Sequence, residues 1–152
     1  MTDSPLPGSE RTRSLWAQTR LEVWPEWYRL VSFPTAQGAA AASLLAASAG
    51  RFCALVLERD ELSLTVAEDV WRKSPLRDMA RSEIGPLRAI TFSLSLDLDV
   101  VGYLAPAAAR LADAGISVVP QCAASRDHLL VPAHRLEDAV RVLEQLIRDC
   151  RD

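Results

Sequence analysis

The residues with the most evident capacity for chemistry stand at Val101-Gly102-Tyr103 and at Asp127. An alternating apolar run leads up to Leu98, and an Ala/Leu segment of helical spacing runs from Leu104 to Gly115, so Gly102 marks a strand-to-helix junction. A helix N-terminus offers unpaired N–H groups and partial positive charge, and glycine lets a ligand approach the backbone, so a carboxylate fits there. Asp99 or Asp127 can receive the ammonium group of the same zwitterion. The plain alternative, a tight turn at Gly102 and a loop cap at Asp127, stays open at this level.

Other reactive residue types read as structural. His128 and His134, with Asp97, Asp99 and Asp127, have spacings that fit no established metal geometry. Cys122 would need a base beside it to act as a nucleophile, and free cysteine is usually a small buried hydrophobe. Ser63 lies mid-strand without a glycine-flanked elbow. Asp97 and Asp99 share the polar face of one strand, where solvation is commoner than acid–base work. No cofactor or metal is expected.

The elements that must position these residues follow from periodicity. Residues 1–20, with Pro5, Pro7 and Gly8 and few large apolar groups, read as a flexible tail. Trp27–Phe33 reads as a strand stopped by Pro34, followed by a helix from Ala36 to Ala49 capped by Thr35 and ended by Gly50. Phe52–Leu57, apolar throughout, suits a central strand, and Leu62, Leu64 and Val66 alternate as a half-buried one. Ser74-Pro75 opens a short helical connector that ends at Gly85-Pro86. From Leu87 strict alternation through Ile90, Phe92, Leu94, Leu96 and Leu98 predicts a long strand. The next helix should bury Leu104, Ala108, Leu111 and Ala112. Strands at Ile116–Val119 and His128–Val131 follow, and an amphipathic helix from His134 to about Cys150 covers the sheet.

The order is β-α-β-β-α, twice, with halves at 21–85 and 86–152 and antiparallel sheets carrying helices on one face, an α+β architecture. Six strands are evident where two complete modules need eight, so one must be shared, exchanged between halves, or hidden around Leu21–Val23.

Bulk properties narrow the partners. The chain has 152 residues, 49% of them hydrophobic, enough for a real interior. A formal net charge of -3 and a pI near 5.4 argue against a nucleic-acid binder. The longest weakly polar stretch, Ala39–Ala49, is too short to span a bilayer, so no membrane association is expected. Cys53, Cys122 and Cys150, odd in number and widely spaced, support neither a disulfide framework nor a zinc site and point to a reducing cytoplasm.

Four pieces in order resemble tandem ACT-domain proteins related to the CASTOR amino-acid sensors. Arg59-Asp60-Glu61-Leu62-Ser63-Leu64 resembles their Thr/Arg-x-Glu-Leu-Ser-Ile/Val strand. Val101-Gly102-Tyr103-Leu104-Ala105, Leu111-Ala112-Asp113-Ala114-Gly115-Ile116-Ser117 and Asp127-His128-Leu129-Leu130-Val131 resemble their strand-helix-strand core. The resemblance, over roughly 21–146, implies ferredoxin-like tandem ACT domains that bind a free amino acid at the interface between the two halves. It further implies a non-catalytic regulatory role and a homo-oligomer. Carried over by position, the implied contacts are Ser63 and Leu64 in the first half, and Gly102 and Asp127 in the second. This chain has Val101 where relatives often have threonine, and Cys122-Ala123-Ala124-Ser125-Arg126-Asp127 where they commonly have Ser-Thr-aromatic-x-Thr-Asp. Val101 and Cys122 thus replace ligand-holding hydroxyls, leaving two readings: a different amino acid, or a closed pocket in a module that works by protein–protein interaction.

Overall fold

The computed structural model describes residues 8–152. Helix α1 (Glu10–Gln18) and strand β1 (Leu21–Val23) come first, then β2 (Tyr28–Phe33), α2 (Gly38–Ala47), β3 (Ala54–Leu57), β4 (Leu62–Ala67) and α3 (Glu68–Arg72). Strand β5 (Ser82–Phe92), α4 (Leu104–Asp113), β6 (Val119–Cys122), β7 (Asp127–Pro132) and α5 (Leu136–Arg151) follow. Two compact units result: Trp24–Ala89, and residues 8–23 together with Ile90–Asp152. The sequence places a boundary at 85/86; the observed ones fall at 23/24 and 89/90, and the residues of β5 divide between the units.

In the central unit the strand order is β3-β4-β2-β5, with antiparallel pairing throughout. The register Val31↔Leu64 and Phe33↔Leu62 sets these side chains on one face. There they pack with Ala41 of α2 and Trp71 of α3, whose ring meets Phe33 edge-on at 5.6 Å. Strand β3, expected to be central, is the edge, and Val56 and Leu57 are 55% and 68% exposed. Its apolar run describes composition, which does not say whether a second neighbour exists. Thr35 lies in a 3₁₀ turn that precedes α2 and provides no side-chain cap, whereas Ser74 accepts from the Leu76 N–H as predicted.

Strand β5 begins five residues before the expected start and ends six before Leu98. Its pairing with β2 shifts register between Tyr28 and Leu30, a bulge that absorbs Gly85 and Pro86. Gly85 has φ +150, and a Cβ there would stand 2.9 Å from the Tyr28 carbonyl oxygen and 2.8 Å from Arg29 Cδ. Beyond Phe92 the Leu94 N–H turns back to the Phe92 carbonyl at 2.8 Å. Leu94 and Leu96 then reach the second unit's core from a loop, while Leu98 is fully exposed. Alternation persists there without a ladder.

In the second unit the order is β1-β5-β7-β6, with Leu21↔Phe92 and Val23↔Ile90 in antiparallel register. The N-terminal β1 thus supplies the strand sought around Leu21–Val23. Ile90 and Phe92 of β5 and Leu129 and Val131 of β7 pack with Leu111 of α4 and Ala139, Leu143, Leu146 and Ile147 of α5. The buried stripe of α4 is Pro106, Ala107, Arg110 and Leu111, rotated from the expected one, and Ala112 is exposed. The rotation follows Arg110, which is 6% exposed and pairs at 2.5 Å with Asp149 of α5.

The expectation of a flexible tail over 1–20 is corrected from Glu10 onward; residues 1–7 lie outside the described ones. Ser9 caps α1 by accepting from the Thr12 N–H, and Trp16 is fully buried in the second unit's core. No helix among the described residues is long and apolar enough to cross a membrane.

Gly85→Ala is expected to destabilise the chain by about 2–3 kcal/mol, because both φ and the Tyr28 carbonyl exclude a Cβ. Urea unfolding reads this directly; a change within about 0.5 kcal/mol would show that the bulge relaxes freely.

Candidate functional site

Beside the N-terminus of α4 lies a cavity of about 390 Å³, walled entirely by residues of the second unit. Three segments form it: the loop after β5 (Leu96, Asp97, Leu98, Val100, Gly102), the entry to α4 (Tyr103, Leu104, Ala105), and the turn from Cys122 to Asp127 that joins β6 to β7. The Leu96 N–H donates to the Ser125 carbonyl at 2.9 Å, tying loop to turn, and the Ala123 N–H closes the turn on the Arg126 carbonyl at 2.9 Å.

Helix α4 has no side-chain cap. In its first turn Leu104 and Ala105 carry N–H groups without intrahelical partners, and Pro106 carries none. Gly102 turns the chain into the helix at φ +77, and the position its Cβ would take is open space. The glycine is therefore required by the backbone conformation, and the open space permits close approach to the peptide. Two carboxylates, Asp97 and Asp127, one guanidinium, Arg126, the Ser125 hydroxyl and the Cys122 thiol are the side-chain polar groups added by the loop and the turn.

Cys122 is exposed and paired directly across from Asp127 in the β6–β7 ladder. Interaction with the neighbouring Asp127 carboxylate, aided by partial burial, pushes the thiol pKa up to about 11. Tyr103 is buried, and loss of solvent raises its phenol to about 12. Its hydroxyl lies 2.5 Å from Thr19 Oγ1, whose own proton goes to the Leu15 carbonyl at 2.9 Å, so Tyr103 is the donor. One residue beyond Asp127, His128 is nearly buried with Nδ1 2.7 Å from Thr91 Oγ1. Burial lowers its pKa, with the Arg126 charge adding to the shift and Asp127 and Glu22 opposing it.

Of the residues singled out from sequence, Gly102, Cys122 and Asp127 meet in this cavity. Asp99 and Val101 belong to the same loop but face elsewhere. The Asp99 carboxylate takes a bidentate pair from Arg11 at 3.1 and 3.2 Å, which holds it below the usual carboxylate range, and the Val101 carbonyl accepts from Thr12 Oγ1 at 3.1 Å. Ser63 and Leu64 lie on β4 of the central unit, where Ser63 Oγ donates to Glu61 at 2.7 Å and Leu64 is fully buried. Sequence reasoning gave Tyr103 and Arg126 no role of their own and read the residues of helix α1 as part of a flexible tail. The cap at Ser9 and the spacing of Thr12 and Trp16 were the available signals for α1.

Residues 85–145, which contain all three walls, match the family model described as ACT domain. Comparison of the sequence with curated proteins finds no match. Among solved structures, a Vibrio cholerae protein of unknown function is similar over 91% of this chain and 97% of its own, with TM-score 0.72 and 19% identity. An Agrobacterium tumefaciens protein is similar over 85% of this chain and 89% of its own, with TM-score 0.65 and 21% identity. The regulatory subunit of aspartate kinase from Thermus flavus is similar over 84% and 95%, with TM-score 0.61 and 14% identity. The fold is accordingly the α+β, ferredoxin-like ACT fold.

Two outcomes follow from the titrations. With a pKa of about 11 against an ordinary 9.0, Cys122 in a Cys53→Ser/Cys150→Ser background should be alkylated about 100-fold more slowly at pH 8 than a free exposed thiol. Asp127→Asn should recover at least about tenfold of that rate; an unchanged rate would exclude the Asp127 carboxylate as the cause. For His128, a folded pKa below 6.5 means that the unfolded chain binds more protons, so stability falls as pH drops below 6.5. The melting temperature should decline between about pH 7 and 5.5 and decline less in His128→Gln, before the depressed carboxylates contribute below about pH 4.5.

Proposed function

We propose that this chain is a non-catalytic regulatory protein of ACT type that holds a free amino acid in the cavity at the head of α4. The observation that carries the reading is that one cavity joins the uncapped first turn of α4, open at Gly102, to the Asp127 carboxylate. A zwitterion uses both: its carboxylate takes the Leu104 and Ala105 N–H groups and the helix dipole, and its ammonium takes Asp127, displacing or sharing the Cys122 thiol. The ACT match across the whole site supports this, as does the likeness to a regulatory subunit of aspartate kinase. Binding then regulates by stabilising one member of the protein's conformational ensemble.

A second reading, a module that acts through protein–protein pairing, is favoured by β3. That edge strand leaves one row of backbone groups without a ladder in its unit and exposes Val56 and Leu57.

A thermal-shift panel of the common amino acids, followed by calorimetry, should find a ligand with Kd at or below about 1 mM. Asp127→Ala should weaken it by about tenfold or more, the loss of one charge-assisted hydrogen bond. Absence of binding at millimolar concentration, together with a dimer by light scattering that no amino acid perturbs, would replace the first reading with the second.

A further inference from the structure

Helix α1 touches the cavity's rim at every turn. Arg11 forks onto Asp99 at 3.1 and 3.2 Å, Thr12 Oγ1 donates to the Val101 carbonyl at 3.1 Å, and Trp16 Nε1 donates to the Tyr103 carbonyl at 2.8 Å. The indole also stacks on the Tyr103 ring at 4.7 Å with an interplanar angle of 11°, and Thr19, just past the helix, accepts the Tyr103 hydroxyl. These residues succeed one another along one side of α1, and their partners 99, 101 and 103 alternate along the loop. Apart from α1 the loop is held by Leu94, Leu96 and Val100 against the core and by the Leu96 N–H on the Ser125 carbonyl at 2.9 Å, while Leu98 and Val101, on either side of the Asp99 contact, are 103% and 85% exposed. Its last residues, Gly102 and Tyr103, are the entry to α4.

A nine-residue helix does not persist alone in water, where isolated helices below about 12–15 residues are marginal. Folding of α1 and docking of α1 are therefore one event, and the loop that α1 fastens orders with it. We propose that α1 is a strap that governs the site: docked, it fixes 99–105 so that the α4 N–H groups meet the cavity; released, it lets the rim lose its shape. Regulation of the cavity in this sense rests on the amino-acid reading for its ligand, but the strap itself is observable without one. Linkage makes the effect reciprocal, so a ligand seated on the ordered rim also holds α1 down. Because Trp16 is fully buried, the docked state dominates at rest, and partial release is reached through the polar contacts.

The test is hydrogen exchange on the full chain in Thr12→Val, which keeps the side-chain shape and removes the donor to Val101, and in Trp16→Phe, which keeps an aromatic ring and removes the donor to Tyr103. The hydrogen-bonded amide of Val100 and those of the α4 turn that begins at Ala108 should exchange about tenfold faster, while β7 and the central-unit strands β2 and β4 keep their wild-type rates. Unchanged exchange at Val100 and 108–110, or a uniform rise that includes β7, β2 and β4, would overturn the strap; if Trp16→Phe does not fold, Thr12→Val decides alone. For any amino acid that binds the wild type in calorimetry, affinity should fall about tenfold in Thr12→Val, and saturation of the wild type should slow exchange over 10–18. Equal affinity in both proteins would overturn the coupling. A wild type that binds none of them overturns the amino-acid reading, while the exchange comparison still decides the strap.

Discussion

Trp16 sits at 0% exposure with its indole N–H on the Tyr103 carbonyl, its face on the Tyr103 ring, and its edge toward Phe92 at 5.0 Å. A buried indole needs a partner for its N–H, and aromatic groups prefer stacked or edge-on neighbours, so this one side chain satisfies both demands within a single cluster. Tyr103 is the residue that ends the loop and begins α4, Phe92 is the last residue of β5, and Trp16 lies on α1. Three elements far apart in sequence are thereby joined where the cavity begins.

The second unit is assembled from both ends of the chain. Its strand set is completed by β1, which pairs with the last three residues of β5, and α1 packs into the same core. Arg151 near the end of α5 reaches back to the Ala17 carbonyl at 2.9 Å, and Arg13 reaches the Asp149 carbonyl at 3.4 Å. These bonds offer cations to carbonyls at helix C-termini, where the macrodipole favours them.

The cavity's chemistry is one of backbone donors against carboxylates, with a thiol held protonated between. In the turn Cys122 stands across from Asp127, Ser125 supplies a hydroxyl, and the two alanines contribute no polar side chain. The lining is therefore dominated by helix N–H groups and charged side chains, with Ser125 supplying a hydroxyl from the turn.

Much of the fold was legible. The stripe Ala139, Leu143, Leu146 and Ile147, the strand 62–66 and the glycine stops at Gly50 and Gly115 follow from local periodicity and backbone permission, which a sequence states directly. So did the cluster of Gly102, Cys122 and Asp127, since a glycine before a helix and an acid after a turn are local signals. Partnership was not legible. Leu94, Leu96 and Leu98 alternate like a strand yet have no ladder, β3 is apolar yet lies at an edge, and Arg110 is charged yet buried because Asp149 waits on another helix. By itself the sequence determined which residues are apolar, which stretches alternate or repeat at helical spacing, and where glycine turns the chain. Only tertiary structure decided which strand has two neighbours and that residues 10–18 form a helix clamped to the rim. Both depend on contacts between segments distant in sequence, from Ser32 with Ser82 in the β2–β5 ladder to Trp16 with Tyr103 at a separation of 87, which no local pattern encodes.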